Sequence, residues 1–186
     1  ILLRISGFGQ TGPYCKRPGF GRIAEAISGL SNLIGDPDGP PMLPGYPLGD
    51  LITGLFGAYS VLVALYYRDA LNGKGQEIDL AMNEAVLRLL DFDPIQFDQL
   101  NKIHKRIGNY AAYVAPSSTY ISSDGKYLTM AASTQSVWKR LCNAIDREDL
   151  VSNPKFVDQR ARVKNSVEIN GIVAKWIGQH SIKEIY

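Results

Sequence analysis

Asp50 stands between Gly49 and Leu51–Tyr67, a run of 17 residues without a charge. A carboxylate attacks a carbonyl carbon well when it is ionised, shielded from water and correctly aimed. The residues around Asp50 meet those needs. Pro44, Gly45, Pro47 and Gly49 keep the approach to it out of helix. The uncharged run is long enough for a buried helix, which puts Asp50 in its first turn. Unpaired backbone N–H groups and the positive end of the helix dipole gather there and favour the ionised form. Gly49 leaves room for a substrate. The same position also suits an ordinary N-cap aspartate with no chemistry at all.

Attack on a carbonyl develops an oxyanion, which needs donors. Gly7-Phe8-Gly9-Gln10-Thr11-Gly12 is a glycine-rich turn after the apolar run Ile1–Ser6. Its spacing fits G-x-G-x-x-G, but Pro13 and Pro18 follow, and no helix opens at the third glycine. A dinucleotide site also needs an acidic residue about 20 positions on, and none fits. The backbone N–H groups of Gly7 and Gly9 are candidate oxyanion donors, with the Gln10 side chain as a further one. A plain strand-to-loop turn would use glycine equally well. Lys16, Arg17 and Arg22 form a basic cluster able to meet phosphates, or simply a solvated surface. His104 and His180 lack carboxylate or cysteine partners at a useful spacing and read as surface or linker residues. Cys15 and Cys142 have neither metal spacing nor a neighbouring base, so no metal is expected.

These residues need elements to carry them. Ile1–Ser6 reads as a buried strand of an α/β sheet. Arg22–Ile34 carries apolar residues at Ile23, Ala26, Ile27, Leu30 and Leu33, the spacing of an amphipathic helix. A loop at 35–41 and the long helix follow, closing at Asn72-Gly73-Lys74-Gly75. Glu77–Leu80 is a short strand leading into a helix at 83–90. Positions 91–115 are a loose polar connection. Two strands then flank Ser123-Asp124-Gly125, a hairpin signal. Thr134 caps a helix through Ile145, with Val137, Trp138, Leu141 and Ile145 on one face. Val167–Ile177 is a further helix. The expected domains are therefore 1–90, a connection at 91–115, and 116–186.

A net charge of +2 with scattered Lys and Arg gives no electrostatic case for nucleic acid. Leu51–Tyr67 is at the short limit of a membrane span, but Gly54, Gly57, Thr53, Ser60 and its tyrosines favour a core helix. Unpaired cysteines suggest a reducing compartment, the cytoplasm or an organelle matrix. The Ile1 start and the helix-like end at Tyr186 suggest an internal stretch of a longer protein.

Several segments together resemble the CaiB/BaiF family, the class III CoA-transferases. They are Ile5–Tyr14, Arg17–Phe20, Ser28–Leu30, Gly39–Pro41, Gly49-Asp50, Gly73–Gln76, Arg106–Asn109 and Asp124–Tyr127. The resemblance implies part of a Rossmann-like large domain followed by a smaller α/β domain, in an interlocked homodimer. It implies CoA transfer between an acyl-CoA and a free carboxylic acid, with coenzyme A present as the substrate thioester. Asp50 would be the nucleophile, passing through a mixed anhydride to an aspartyl-CoA thioester. Arg106 opens a segment, through Tyr113, that lies near the active site in some members, and it joins Lys16, Arg17 and Arg22 as a CoA-binding candidate. Tyr110, Ala111, Ala112 and Tyr113 make that segment poorer in glycine than usual. Gly21 stands where the family usually has an acidic residue, so that residue's role would be lost. A second branch racemises 2-methylacyl-CoA thioesters, but it carries a histidine at the place of Phe20. A non-catalytic binding module of the same fold is the remaining alternative.

Overall fold

The computed structural model describes residues 1–186, which fall into two compact units, Ile1–Arg106 and Ile107–Tyr186. The first holds β1 (Leu2–Ser6), α1 (Gly21–Ile27), α2 (Leu30–Leu33), α3 (Leu48–Ala70), β2 (Glu77–Ala81), α4 (Met82–Leu87) with a 3-10 turn to Leu90, and α5 (Phe92–Leu100). β1 and β2 pair in parallel, with Leu2 opposite Glu77 and Ser6 opposite Ala81. Parallel neighbours need a long crossover, and α1 to α3 supply it. The protein is thus mixed α/β.

The 23-residue helix α3 reaches three residues further at each end than its uncharged run. It has the length and apolar composition of a membrane span, yet one stripe of it is seated within the fold. Gly49, Thr53, Gly57 and Ala64 are its buried residues. At Gly57 a Cβ would come within 2.9 Å of Leu3 and 3.5 Å of Ile5 and Leu80, so the helix lies directly on both strands. The expectation of a buried core helix is corrected in part: Leu55, Tyr59, Leu62 and Tyr66 are exposed. β1 is likewise less buried than its apolar sequence suggests, with Leu2 and Ile5 about half exposed. Its sheet has only two strands.

The helix expected over 22–34 is two short ones, because Gly29 takes φ +91° between them. Its buried face is also not the predicted one. Gly21, Ala24 and Glu25 are buried, while Ile23 and Ile27 point outward. Small residues win this face because α1 crosses α3 at backbone contact: a Cβ on Gly49 would lie 2.7 Å from the Gly21 carbonyl oxygen. The connection expected at 91–115 contains α5, which buries none of its residues, and the boundary between the units falls at Arg106 and Ile107.

The second unit begins with β3 (Ser117–Ile121) and β4 (Tyr127–Ala131), an antiparallel hairpin with Gly125 at φ +74° in its turn. Four helices follow as α6 (Gln135–Ala144), α7 (Asp149–Ser152), α8 (Gln159–Lys164) and α9 (Ser166–Ile177), then a last turn, α10 (Ile182–Ile185). The Thr134 hydroxyl accepts the Val137 N–H and caps α6, as its sequence predicts. Trp138, Cys142, Leu150, Phe156 and Ile169 form the core of this unit. Arg162 is fully buried among them. Its guanidinium lies over the Trp138 ring and donates to the Ala115 and Phe156 carbonyls and to the Gln135 and Gln159 side chains. Trp176 packs on the neighbouring cluster of Tyr120, Ile145, Val173 and Ile177 and stacks on His180.

Candidate active site

The carboxyl ends of parallel strands are where α/β proteins place their ligands, and four segments of the first unit meet there. β1 leads into the glycine turn, β2 leads into α4, and α1 abuts the start of α3. The Asn83 N–H donates to the Gly7 carbonyl, tying the first two together.

Asp50 is the third residue of α3, not its N-cap. The N-cap is Pro47, which offers no side-chain bond. Asp50 lies in the first turn, where the helix dipole favours its charge, but it is exposed in this chain, so the expected shielding from water is corrected. Its carboxylate lies against Gly21: a Cβ there would be 2.2 Å from Asp50 Oδ2 and 2.9 Å from its Cγ. The preceding residue, Gly49, is held at both of its backbone polar groups. The Gly49 N–H donates to Glu25 Oε1 at 2.8 Å, and the Thr53 hydroxyl donates to the Gly49 carbonyl at 2.6 Å. Glu25 itself is only 1% exposed.

Glu25 is the residue that sequence reasoning missed. Gly21 lacks a carboxylate of its own, yet a buried one stands a turn further along the same helix. A signal existed: Gly21, Ala24, Glu25 and Ser28 share one helical stripe, and an acid among small residues marks a close, polar crossing. The apolar stripe of Ile23, Ala26 and Ile27 drew attention to the other side.

The glycine turn sits where the sequence places it, but its donors are partly committed. The Gln10 N–H donates to Asp79 Oδ2 at 2.8 Å, and that carboxylate also lies beside Gly9, which has φ +81°. Gly7 crosses Gly19 so closely that a Cβ on either would come within 2.5 Å of the other's Cα. Gly7 is thus explained by the crossing of two backbone segments, and the Gln10 side chain is exposed.

Among the basic candidates, Lys16 and Arg22 are exposed, and the Arg17 guanidinium lies 4.0 Å over the Tyr14 ring. Arg106 is used otherwise than expected. It donates to the carbonyls of Asn32, Asp36 and Gly39 and to the Asn32 side chain, clamping the loop after α2. A phosphate would have to compete with those four bonds. His104 is not partnerless, as its spacing suggested, but pairs with Asp93. The two line a mainly apolar cavity of about 270 Å³ with Asn32, Leu87 and Phe97. Asp50 is not among its walls. No group of His, Cys, Asp and Glu has a metal-binding arrangement.

A parallel βαβ unit with an exposed carboxylate in the first turn of its crossover helix is a class of arrangement compatible with nucleophilic or acid–base chemistry. Comparison with known proteins narrows that class. The model of CoA-transferase family III matches residues 1–186, and the chain belongs to that family. It is 41% identical over 186 residues to the alpha subunit of succinyl-CoA–L-malate CoA-transferase of Chloroflexus aurantiacus, covering 100% of this chain and 43% of the relative. It is 34% identical over 176 residues to the acetyl-CoA:oxalate CoA-transferase of Acetobacter aceti, covering 94% of the chain and 45% of the relative. The crystal structure of a CaiB/BaiF family protein from Brucella suis superposes with a TM-score of 0.77 at 30% identity, over 98% of this chain and 48% of that one. The chain thus spans less than half the length of these relatives.

Proposed function

We propose that the protein containing this chain transfers CoA between an acyl-CoA and a free carboxylic acid, with Asp50 as the nucleophile. The observation that carries the reading is the Asp50 carboxylate in the first turn of α3, seated against Gly21 and preceded by Gly49, whose N–H and carbonyl are both hydrogen-bonded by side chains. An Asp50 oxygen attacks the thioester carbonyl, the C–S bond breaks, and CoA leaves as a thiolate. The thiolate then attacks the Asp50 carbonyl of the mixed anhydride and releases the donor acid as its carboxylate. The acceptor carboxylate attacks the aspartyl-CoA thioester, and the returning thiolate takes the new acyl group. Asp50 is regenerated with no net proton change.

Succinyl-CoA is the donor best supported, with a small dicarboxylate as acceptor. The relatives' names support this, pairing succinyl-CoA with malate, citramalate and mesaconate. A homodimer is the assembly we favour, since α3 exposes Leu55, Tyr59, Leu62 and Tyr66 on one apolar side. The two units would belong to a Rossmann-like large domain and a smaller domain.

Asp50→Asn in the full-length protein tests the reading. Asparagine has the same shape and fits the same seat, but its amide does not attack a thioester. Transfer from succinyl-CoA should fall by about 10⁴-fold or more, the scale seen when a nucleophile is removed. Hydroxylamine should trap a modified Asp50 during turnover in the wild type only. Transfer near the wild-type rate in Asp50→Asn would refute the assignment.

A further inference from the structure

The geometry points to Glu25 as a positioning residue for Asp50, with Gly21 as the seat that receives the Asp50 carboxylate. This rests on Asp50 being the nucleophile. A carboxylate that is 1% exposed carries a desolvation penalty, which favourable contacts must offset. It accepts the N–H of Gly49, 2.8 Å away, on the second residue of α3. The N-cap Pro47 supplies no side-chain acceptor for this helix end. Glu25 therefore does from α1 what a capping residue ordinarily does from its own chain position. With the Thr53 hydroxyl on the Gly49 carbonyl, both polar groups flanking Gly49 Cα are fixed. The next residue is Asp50.

Gly21 sets the other half of the geometry. Its missing side chain would occupy the space of the Asp50 carboxylate, 2.2 Å from Oδ2. An alanine there turns the carboxylate out of its seat. Glu25 fixes the backbone of the nucleophile, and Gly21 fixes the direction in which its oxygens point. Both residues lie on the one face of α1 that is buried. Glu25 is bonded to the Gly49 N–H rather than to the Asp50 carboxylate, and Gly21 meets that carboxylate only as a surface without a side chain.

The test uses the full-length protein and succinyl-CoA, with Glu25→Ala, Glu25→Gln, Gly21→Ala and Asp50→Asn compared. Misplacing a reacting group by about 1 Å costs about 10²-fold. Glu25→Ala and Gly21→Ala should lose about that much in kcat, and in the rate of aspartyl adduct formation in a single turnover, with KM within about 3-fold. Glu25→Gln should recover most of the loss, because its amide oxygen still accepts the Gly49 N–H. Rates are divided by the amount of folded protein that forms adduct. If Glu25→Ala does not fold, Gly21→Ala and Glu25→Gln decide the matter. Wild-type kcat per folded molecule in Glu25→Ala or in Gly21→Ala would overturn the proposal, as would a Glu25→Gln rate no better than that of Glu25→Ala. With Asp50→Asn inactive, those results leave the nucleophile standing. An active Asp50→Asn removes the nucleophile and this proposal together.

Discussion

Arg162 gives the sharpest prediction about stability. It is a fully buried cation whose four hydrogen bonds all go to neutral oxygens. Burial pulls its pKa down, and the nearby Asp158 charge pushes it back up. Arg162→Met keeps much of the contact with Trp138 and removes every donor. The Gln135 and Gln159 side chains can turn to water, but the Ala115 and Phe156 carbonyls lose their buried partner. Each buried acceptor left unsatisfied costs about 1–3 kcal/mol. Against that stands relief from burying a guanidinium without a bonded carboxylate, which by itself would favour the substitution. Two abandoned carbonyls cost about 2–6 kcal/mol together, which exceeds that relief and leaves a net loss of about 2–4 kcal/mol. For a unit of this size each kcal/mol is worth about 4–8 °C, so the melting temperature should fall by about 8 °C or more. Both tryptophans of this chain, Trp138 and Trp176, lie in the second unit, and their fluorescence reports its melting. A Met variant melting within about 2 °C of the wild type, near 0.5 kcal/mol or less, would refute the reasoning. It would show that desolvation cancels the hydrogen bonds.

Two further predictions follow from titrating groups. Burial is the main cause pushing the Cys142 thiol up to about 11, so at pH 8 a thiol reagent should label Cys15 in the native protein and Cys142 only after unfolding. Peptide mapping by mass spectrometry distinguishes them, and rapid native labelling of Cys142 would contradict the buried core. The Ser122 hydroxyl and then the Ile182 N–H hold the Asp124 carboxyl down to about 2, below its ordinary 3.8. A depressed carboxylate stabilises above its unfolded pKa and loses that contribution as pH falls through the folded value. The stability difference between wild type and Asp124→Asn, followed by tryptophan fluorescence, should therefore be constant above about pH 5 and shrink from there to pH 2. A difference that stays constant down to pH 2 would rule this out.

Local sequence determined much of the fold. The uncharged run gave α3, the Asp-Gly pair gave the hairpin, and Thr134 gave the start of α6. In each case the cause lies within a few residues: periodicity, turn chemistry or a cap. The family was also legible, because its motifs are short and ordered along the chain. Asp50 could be singled out for the same reason, from Gly49 before it and the apolar run after it. What only the tertiary structure decided is which face of α1 is buried, since that depends on a backbone crossing between Gly21 and Gly49, 28 positions apart. The same crossing moved the cap of α3 from the N-cap position to Glu25 of α1. It also turned the apparent loss of an acid at Gly21 into a seat for Asp50. Arg106 and His104 follow the same rule. Their partners lie 67 to 74 residues away for Arg106 and 11 for His104. Patterns within a helix or turn carry no record of such distant contacts, which form only when the elements pack.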